Sequence, residues 1–148
     1  MLSQASALGN SEWVDTRRGL VSREVFVSDE ICRLETERIF DRTWVFLAHE
    51  TELPAAGDFV SRTLGSAPVI VVRDADGTVH ALLNSCRHRG ARICRADSGN
   101  VRNFICPYHG WTYESSGKLV TTTFDRHFPK DFDFSQLGLA RVPCLQTH

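Results

Sequence analysis

CRHRGARICRADSGNVRNFICPYHGW, residues 86–111, is the stretch on which the reading of this chain turns. Cys86-Arg87-His88 opens it as a Cys-x-His unit, and Cys106-Pro107-Tyr108-His109 closes it as a Cys-x-x-His unit. Gly90 and Gly110 come just after the two histidines. Glycine there permits tight loops whose backbone N–H groups can approach a bound anion such as sulfide. Each unit follows a short apolar stretch with strand character, so two adjacent loops would converge on one site.

Two thiolates and two imidazoles suit a tetrahedral zinc ion or an iron–sulfur cluster of mixed ligation. Zinc ligands more often come as Cys-x-x-Cys with a separate pair of histidines, a spacing this chain lacks. In a Rieske-type [2Fe–2S] centre two cysteines hold one iron and two histidines the other. Each loop would then give one ligand to each iron, and the candidate ligands are Cys86, His88, Cys106 and His109. Charge explains the histidines. Two ferric ions, two sulfides and two thiolates cancel when the imidazoles are neutral, and one electron leaves a single negative charge. A four-thiolate cluster starts out anionic and is harder to reduce. Imidazole ligation therefore raises the potential, to roughly −150 to +300 mV across such centres. Reduction should also raise the basicity of exposed imidazole nitrogens.

Outward from the two units, the chain reads as short strands. Val101–Ile105 and Trp111–Tyr113 flank the second unit. Upstream, Thr78–Asn84 is a returning strand after the turn at 74–77, and Val69–Val72 is a β-branched run fit for a buried strand. Asp58–Leu64 alternates, and Trp44–Ala48 is apolar and aromatic. Short strands punctuated by turns predict a mainly β domain of small antiparallel sheets. Before them, Ser28 is a candidate N-cap, with Asp29 and Glu30 in the first turn and Ile31, Leu34 and Ile39 near helical spacing. That predicts one helix over about Asp29–Arg42 with Arg33, Glu35, Glu37 and Arg38 on its solvated face. Residues 1–27 read as an irregular lead-in. Phe124, Phe128, Phe132 and Phe134 mark a tail packed against a surface.

The composition is that of a globular chain, with 42% hydrophobic and 24% charged residues in 148. No apolar run is long enough to span a bilayer. Arg17-Arg18 is followed by Gly19-Leu20-Val21-Ser22-Arg23-Glu24, too short and too charged for the apolar part of an export signal. Five cysteines without a signal peptide argue against a disulfide framework and for a reducing cytoplasm. Cys32, Cys94 and Cys144 are read as buried small hydrophobes. The net charge of −1 hides an asymmetry: residues 84–112 hold five arginines (Arg87, Arg89, Arg92, Arg95 and Arg102) against one acid, Asp97. Neither a membrane nor a nucleic acid is expected as a partner.

Cys86-Arg-His88-Arg89-Gly90, Gly99-Asn100 and Cys106-Pro-Tyr108-His109-Gly110-Trp111 together resemble the signature of bacterial ring-hydroxylating dioxygenase large (alpha) subunits. Glu37-Arg38-Ile39-Phe40 and Trp44 are similar to the same family's N-terminal region. The resemblance implies a Rieske iron–sulfur fold over residues 44–148 behind an N-terminal helical extension, 1–43. It implies a [2Fe–2S] cluster on Cys86, His88, Cys106 and His109, loaded by a ferredoxin or reductase. The electron would pass to a mononuclear Fe(II) for O2-dependent dihydroxylation of an aromatic ring. That iron would lie in a C-terminal catalytic domain expected to be absent here, because His49, His80, His127 and His148 form no such ligand set; no catalytic residue is assigned. The full-length form would be a homo-trimer or alpha/beta hetero-oligomer. Respiratory Rieske proteins carry two further loop cysteines and a membrane anchor, and Cys94 has no partner in the second loop. A stand-alone Rieske-type ferredoxin is the alternative reading, although 85 residues precede Cys86.

Overall fold

A computed structural model describes residues 13–123 and 125–147. The chain divides into two compact units with the boundary after Trp44.

In the first unit, β1 (Val14–Asp15) and β2 (Leu20–Val21) form an antiparallel ribbon. Helices α1 (Glu24–Val27) and α2 (Asp29–Glu35) follow. The Ser28 hydroxyl accepts the Ile31 N–H at 3.4 Å, so the expected N-cap is in place. The helix does not run regularly to Arg42. It widens to a π-turn over Thr36–Phe40, where the Thr36 hydroxyl bonds back to the Cys32 carbonyl at 2.9 Å. The wider turn shifts the face on which later residues fall. Ile31 is buried, whereas Ile39 is exposed. Cys32 faces outward on the same helix and is exposed, contrary to the buried role expected of it.

The second unit contains β3 (Asp58–Leu64), β4 (Ala67–Arg73), β5 (Val79–Leu83), β6 (Ser98–Asn100), β7 (Asn103–Ile105), β8 (Thr112–Glu114), β9 (Leu119–Thr121) and β10 (Arg141–Val142). They form two antiparallel sheets, of order β10-β5-β4-β3-β6 and β7-β8-β9. The β-branched run is central, as expected. On β4, Ile70 and Val72 join the larger apolar cluster, and Val71 joins a smaller one with Leu53 and Val60. That is the period-two division of a strand buried on both faces. Phe59 on β3 and Phe104 on β7 meet edge-to-face at 5.4 Å. The larger cluster also takes in Leu82, Ile93, Trp111, Tyr113, Leu139 and both Cys86 and Cys106. The thiols are thus part of the hydrophobic core.

Trp44–Ala48 is not a strand. β3 pairs with β4 on one side and, over Asp58–Val60, with β6 on the other, and not with this segment. The segment is held instead by Arg62, whose Nε donates to the Leu47 carbonyl at 2.9 Å, while Leu47 and Ala48 pack on the smaller cluster. The tail packs as expected. Phe128, Phe132 and Phe134 meet with centroids 4.9–5.1 Å apart, and Phe128 rests on the larger cluster; Phe124 lies outside the described residues. Cys144 is exposed beyond β10, and Cys94 is half-buried, so only Cys94 approaches the packing role expected of all three.

Candidate metal centre

The two Cys/His units sit on loops with the same backbone frame. In the first, which follows β5, the Cys86 N–H donates to the Ala91 carbonyl at 2.9 Å and the Gly90 N–H to the Cys86 carbonyl at 2.8 Å. In the second, between β7 and β8, the Cys106 N–H donates to the Trp111 carbonyl at 2.8 Å and the Gly110 N–H to the Cys106 carbonyl at 2.9 Å. Gly90 and Gly110 close these frames at φ +73° and +70°, the left-handed region that side chains disfavour.

The four sequence-predicted ligands fall into two pairs of one kind. Cys86 and Cys106 share the larger buried cluster, at 3% and 2% residue exposure, and the Cys86 thiol is near enough to help push that of Cys106 up. The His88 and His109 rings lie 4.7 Å apart between centroids. Among the described residues no three His, Cys, Asp or Glu side chains converge on one point as a single ion would need. A two-iron cluster asks for something else, two thiols at one iron and two imidazoles at the other. The fit has a second sign. His88 Nδ1 is buried and has no hydrogen-bond partner among the described residues. A buried, unpartnered ring nitrogen is costly in a protein interior and is the state of a nitrogen reserved for a metal.

The surroundings of the sulfurs combine burial with hydrogen-bond donors. Burial pushes the Cys106 thiol up, and hydrogen bonds from the Tyr108 and His109 N–H groups oppose this. The Tyr113 hydroxyl lies 3.2 Å from Cys86 Sγ and accepts the Arg87 N–H at 3.1 Å. Burial holds that phenol well above its ordinary pKa, so it stays protonated and donates to a Cys86 thiolate. Burial, followed by the neighbouring His109 and Arg89 charges, pushes His88 down, which favours the neutral imidazole a metal takes. Trp111 stacks on His88 at 5.0 Å and 6° while buried in the core, so it shields the ring and packs at once. Tyr108 is exposed, and its ring lies 3.8 Å from that of His109.

Sequence reasoning missed two supports, Tyr113 and Asn84. The buried Asn84 amide accepts the Ile93 and Cys94 N–H groups at 3.0 and 2.9 Å and donates to the Cys94 carbonyl at 2.7 Å. It pins the chain leaving the first loop to the end of β5. A polar residue closing an apolar strand two places before Cys86 was the available signal. The other histidines are placed elsewhere. His49 Nδ1 caps a short turn, and His80 Nε2 lies 3.5 Å from Asp74 Oδ2. His127 is exposed, and His148 lies outside the described residues. The five arginines of the basic stretch are exposed, and none is in an ion pair among the described residues.

Two antiparallel sheets presenting paired thiols and imidazoles on twin loops make this a small β domain of iron–sulfur type. The Rieske [2Fe–2S] domain family matches residues 43–133, and the chain belongs to it. Such a domain implies a [2Fe–2S] cluster. Among curated relatives, the biphenyl 2,3-dioxygenase alpha subunit of Rhodococcus jostii (strain RHA1) is 46% identical over 80% of this chain and 26% of its own length. The alpha subunit of an N,N-dimethyl phenylurea N-demethylase from Sphingobium sp. (strain YBL2) is 45% identical over 88% of this chain and 29% of its own. The crystal structure of naphthalene 1,2-dioxygenase from Rhodococcus sp. bound to indole superposes with a TM-score of 0.80 at 41% identity, covering 86% of this chain and 29% of that one. The chain spans little more than a quarter of the length of these relatives.

Proposed function

We propose that Cys86, His88, Cys106 and His109 hold a [2Fe–2S] cluster and that the domain, residues 44–148 behind the extension 1–43, delivers electrons within an aromatic ring-hydroxylating dioxygenase. The observation that carries this reading is the sorting of the four side chains: both thiols in one buried cluster, imidazole against imidazole, with His88 Nδ1 buried and unpartnered among the described residues. Bound there, the cluster supplies reversible one-electron storage. The chain's own groups set its conditions. Tyr113 and the Tyr108 and His109 N–H groups donate to the sulfurs, Trp111 covers one face of His88, and the core excludes water from both thiolates.

The electron donor is a ferredoxin or a reductase, and exposed Arg87 and Arg89 beside His88 attract an acidic surface. The acceptor is a mononuclear non-heme iron in the catalytic part of the longer protein, which adds O2 to an aromatic ring. Names of the relatives support this destination: most are dioxygenase alpha subunits, of biphenyl and benzene among others. "Subunit" in those names supports an oligomer, for which we propose a homo-trimer or an alpha/beta assembly. No helix among the described residues is long and apolar enough to cross a membrane, and a cytoplasmic site is part of the proposal.

Purified protein loaded with iron and sulfide tests the ligand set. A rhombic EPR signal after dithionite is expected of a reduced cluster with mixed Cys/His ligation. A colourless protein with stoichiometric zinc and no such signal refutes it.

A further inference from the structure

The twin loops are not secured in the same way. Asn84 pins the first by three hydrogen bonds to Ile93 and Cys94. The second has no such amide. Its carbonyls at Cys106 and Trp111 are taken by N–H groups of the loop, and that of Gly110 by the Thr112 hydroxyl at 3.1 Å. The His109 carbonyl alone among these is taken from outside, by the hydroxyl of Thr123, 14 residues on. A Cβ on Gly110 would lie 2.7 Å from that same oxygen, so the glycine makes the room in which the Thr123 hydroxyl sits.

We propose that Thr123 is the positioning residue of His109: its hydroxyl bridges from the end of β9 to the His109 carbonyl and fixes the second loop, as Asn84 fixes the first. The inference rests on the reading of His109 as a cluster ligand. A backbone carbonyl held at the ligand residue itself limits rotation of that peptide, and with it the direction in which the imidazole points. Ligand histidines elsewhere are commonly oriented through their second ring nitrogen; here the hold is on the main chain. The neighbouring Thr122 supplies a control, since its hydroxyl is buried and has no partner.

The test uses the loaded protein with Thr123→Val, Thr123→Ser and Thr122→Val. Two quantities are read: the rate at which a strong iron chelator bleaches the cluster, and the histidine nitrogen couplings in pulsed EPR of the reduced state. Thr123→Val keeps the shape and removes the donor. It is expected to bleach about fivefold faster, the factor set by one ordinary hydrogen bond, and to change one of the two nitrogen couplings. Thr123→Ser and Thr122→Val are expected to match the wild type. A Thr123→Val protein equal to wild type in both readouts overturns the inference, as does a Thr123→Ser protein that behaves like the valine variant. Thr122→Val bleaching as fast as Thr123→Val also overturns it, because general packing would then explain the loss. Wild-type protein without a [2Fe–2S] spectrum removes the ligand reading and the inference together.

Discussion

Replacing Tyr113 with phenylalanine deletes one oxygen from a fully buried ring and leaves the rest of the side chain in place. That oxygen stands 3.2 Å from Cys86 Sγ. With the cluster bound, the sulfur is a thiolate and the phenol is the only possible donor. Reduction takes a mixed-ligand cluster from neutral to a single negative charge, part of which falls on the cysteine sulfurs. A hydrogen bond to a neutral group contributes about 1 kcal/mol and one to a charged group about 2 kcal/mol. Tyr113 therefore stabilises the reduced state over the oxidised one by about 1 kcal/mol, which for one electron is about 40 mV. Tyr113→Phe should lower the midpoint potential by that order. The assay is a spectroelectrochemical titration at fixed pH on loaded wild type and variant. The variant also leaves the Arg87 N–H without its acceptor, at a stability cost of about 1–3 kcal/mol, so a urea midpoint is measured alongside. An intact cluster with an unchanged or raised potential refutes the assignment of the phenol as donor to a thiolate.

Asn84→Ala strands two N–H groups and a carbonyl near the first loop; a loss of about 3 kcal/mol in urea unfolding is expected, and less than about 1 kcal/mol would deny the residue its role. Asp74 accepts from Ser115 and from the Ala75 N–H and lies beside His80, and these partners, Ser115 foremost, hold its carboxyl below the usual range. A depressed folded pKa adds stability that is present above the unfolded value, about 3.9, and is lost as pH falls through the folded one. Asp74→Asn should therefore unfold more easily than wild type at neutral pH, with the gap closing in acid below about pH 4; a gap independent of pH contradicts this. The Cys94 sulfur reaches only the Ala96 carbonyl, at 3.6 Å, so Cys94→Ser should keep the full cluster spectrum, and bleaching would mean a wrong ligand set.

The twin Cys/His loops were legible in the sequence because such residue types at such spacings are few, and the buried strand because β-branched Val69–Val72 has one natural place, a strand covered on both faces. What escaped was set by partners distant in the chain. Ser98–Asn100 carries no strand signature of its own and becomes β6 only because β3 offers it an edge. Leu119–Thr121 and Arg141–Val142 are too short for any periodicity and were likewise placed by β8 and β5. Trp44–Ala48 failed in the opposite sense, having strand composition and no strand partner among the described residues. Ile39 looked like part of a helical stripe until the π-turn at Thr36–Phe40 rotated it to the surface. Tyr113 and Asn84 were seen only as strand residues, since a hydrogen bond 27 residues away to Cys86 has no local trace.

The twin loops also explain how the site acquires a direction. The two frames are the same, yet the histidine stands two places after its cysteine in the first loop and three places after it in the second. Cys86 opens its frame shortly after β5 and Cys106 directly after β7, and both side chains belong to the larger apolar cluster. Both histidines fall at the crests of the frames, where the rings meet each other and are only half-buried. The cysteine side, buried with Tyr113 in the core, offers little surface to another protein. An imidazole side flanked by exposed Tyr108, Arg87 and Arg89 offers more. On the proposed ligand set, an electron exchanged with a partner crosses on the histidine side, and the stabilisation of added charge is left to the buried hydrogen bonds on the sulfur side.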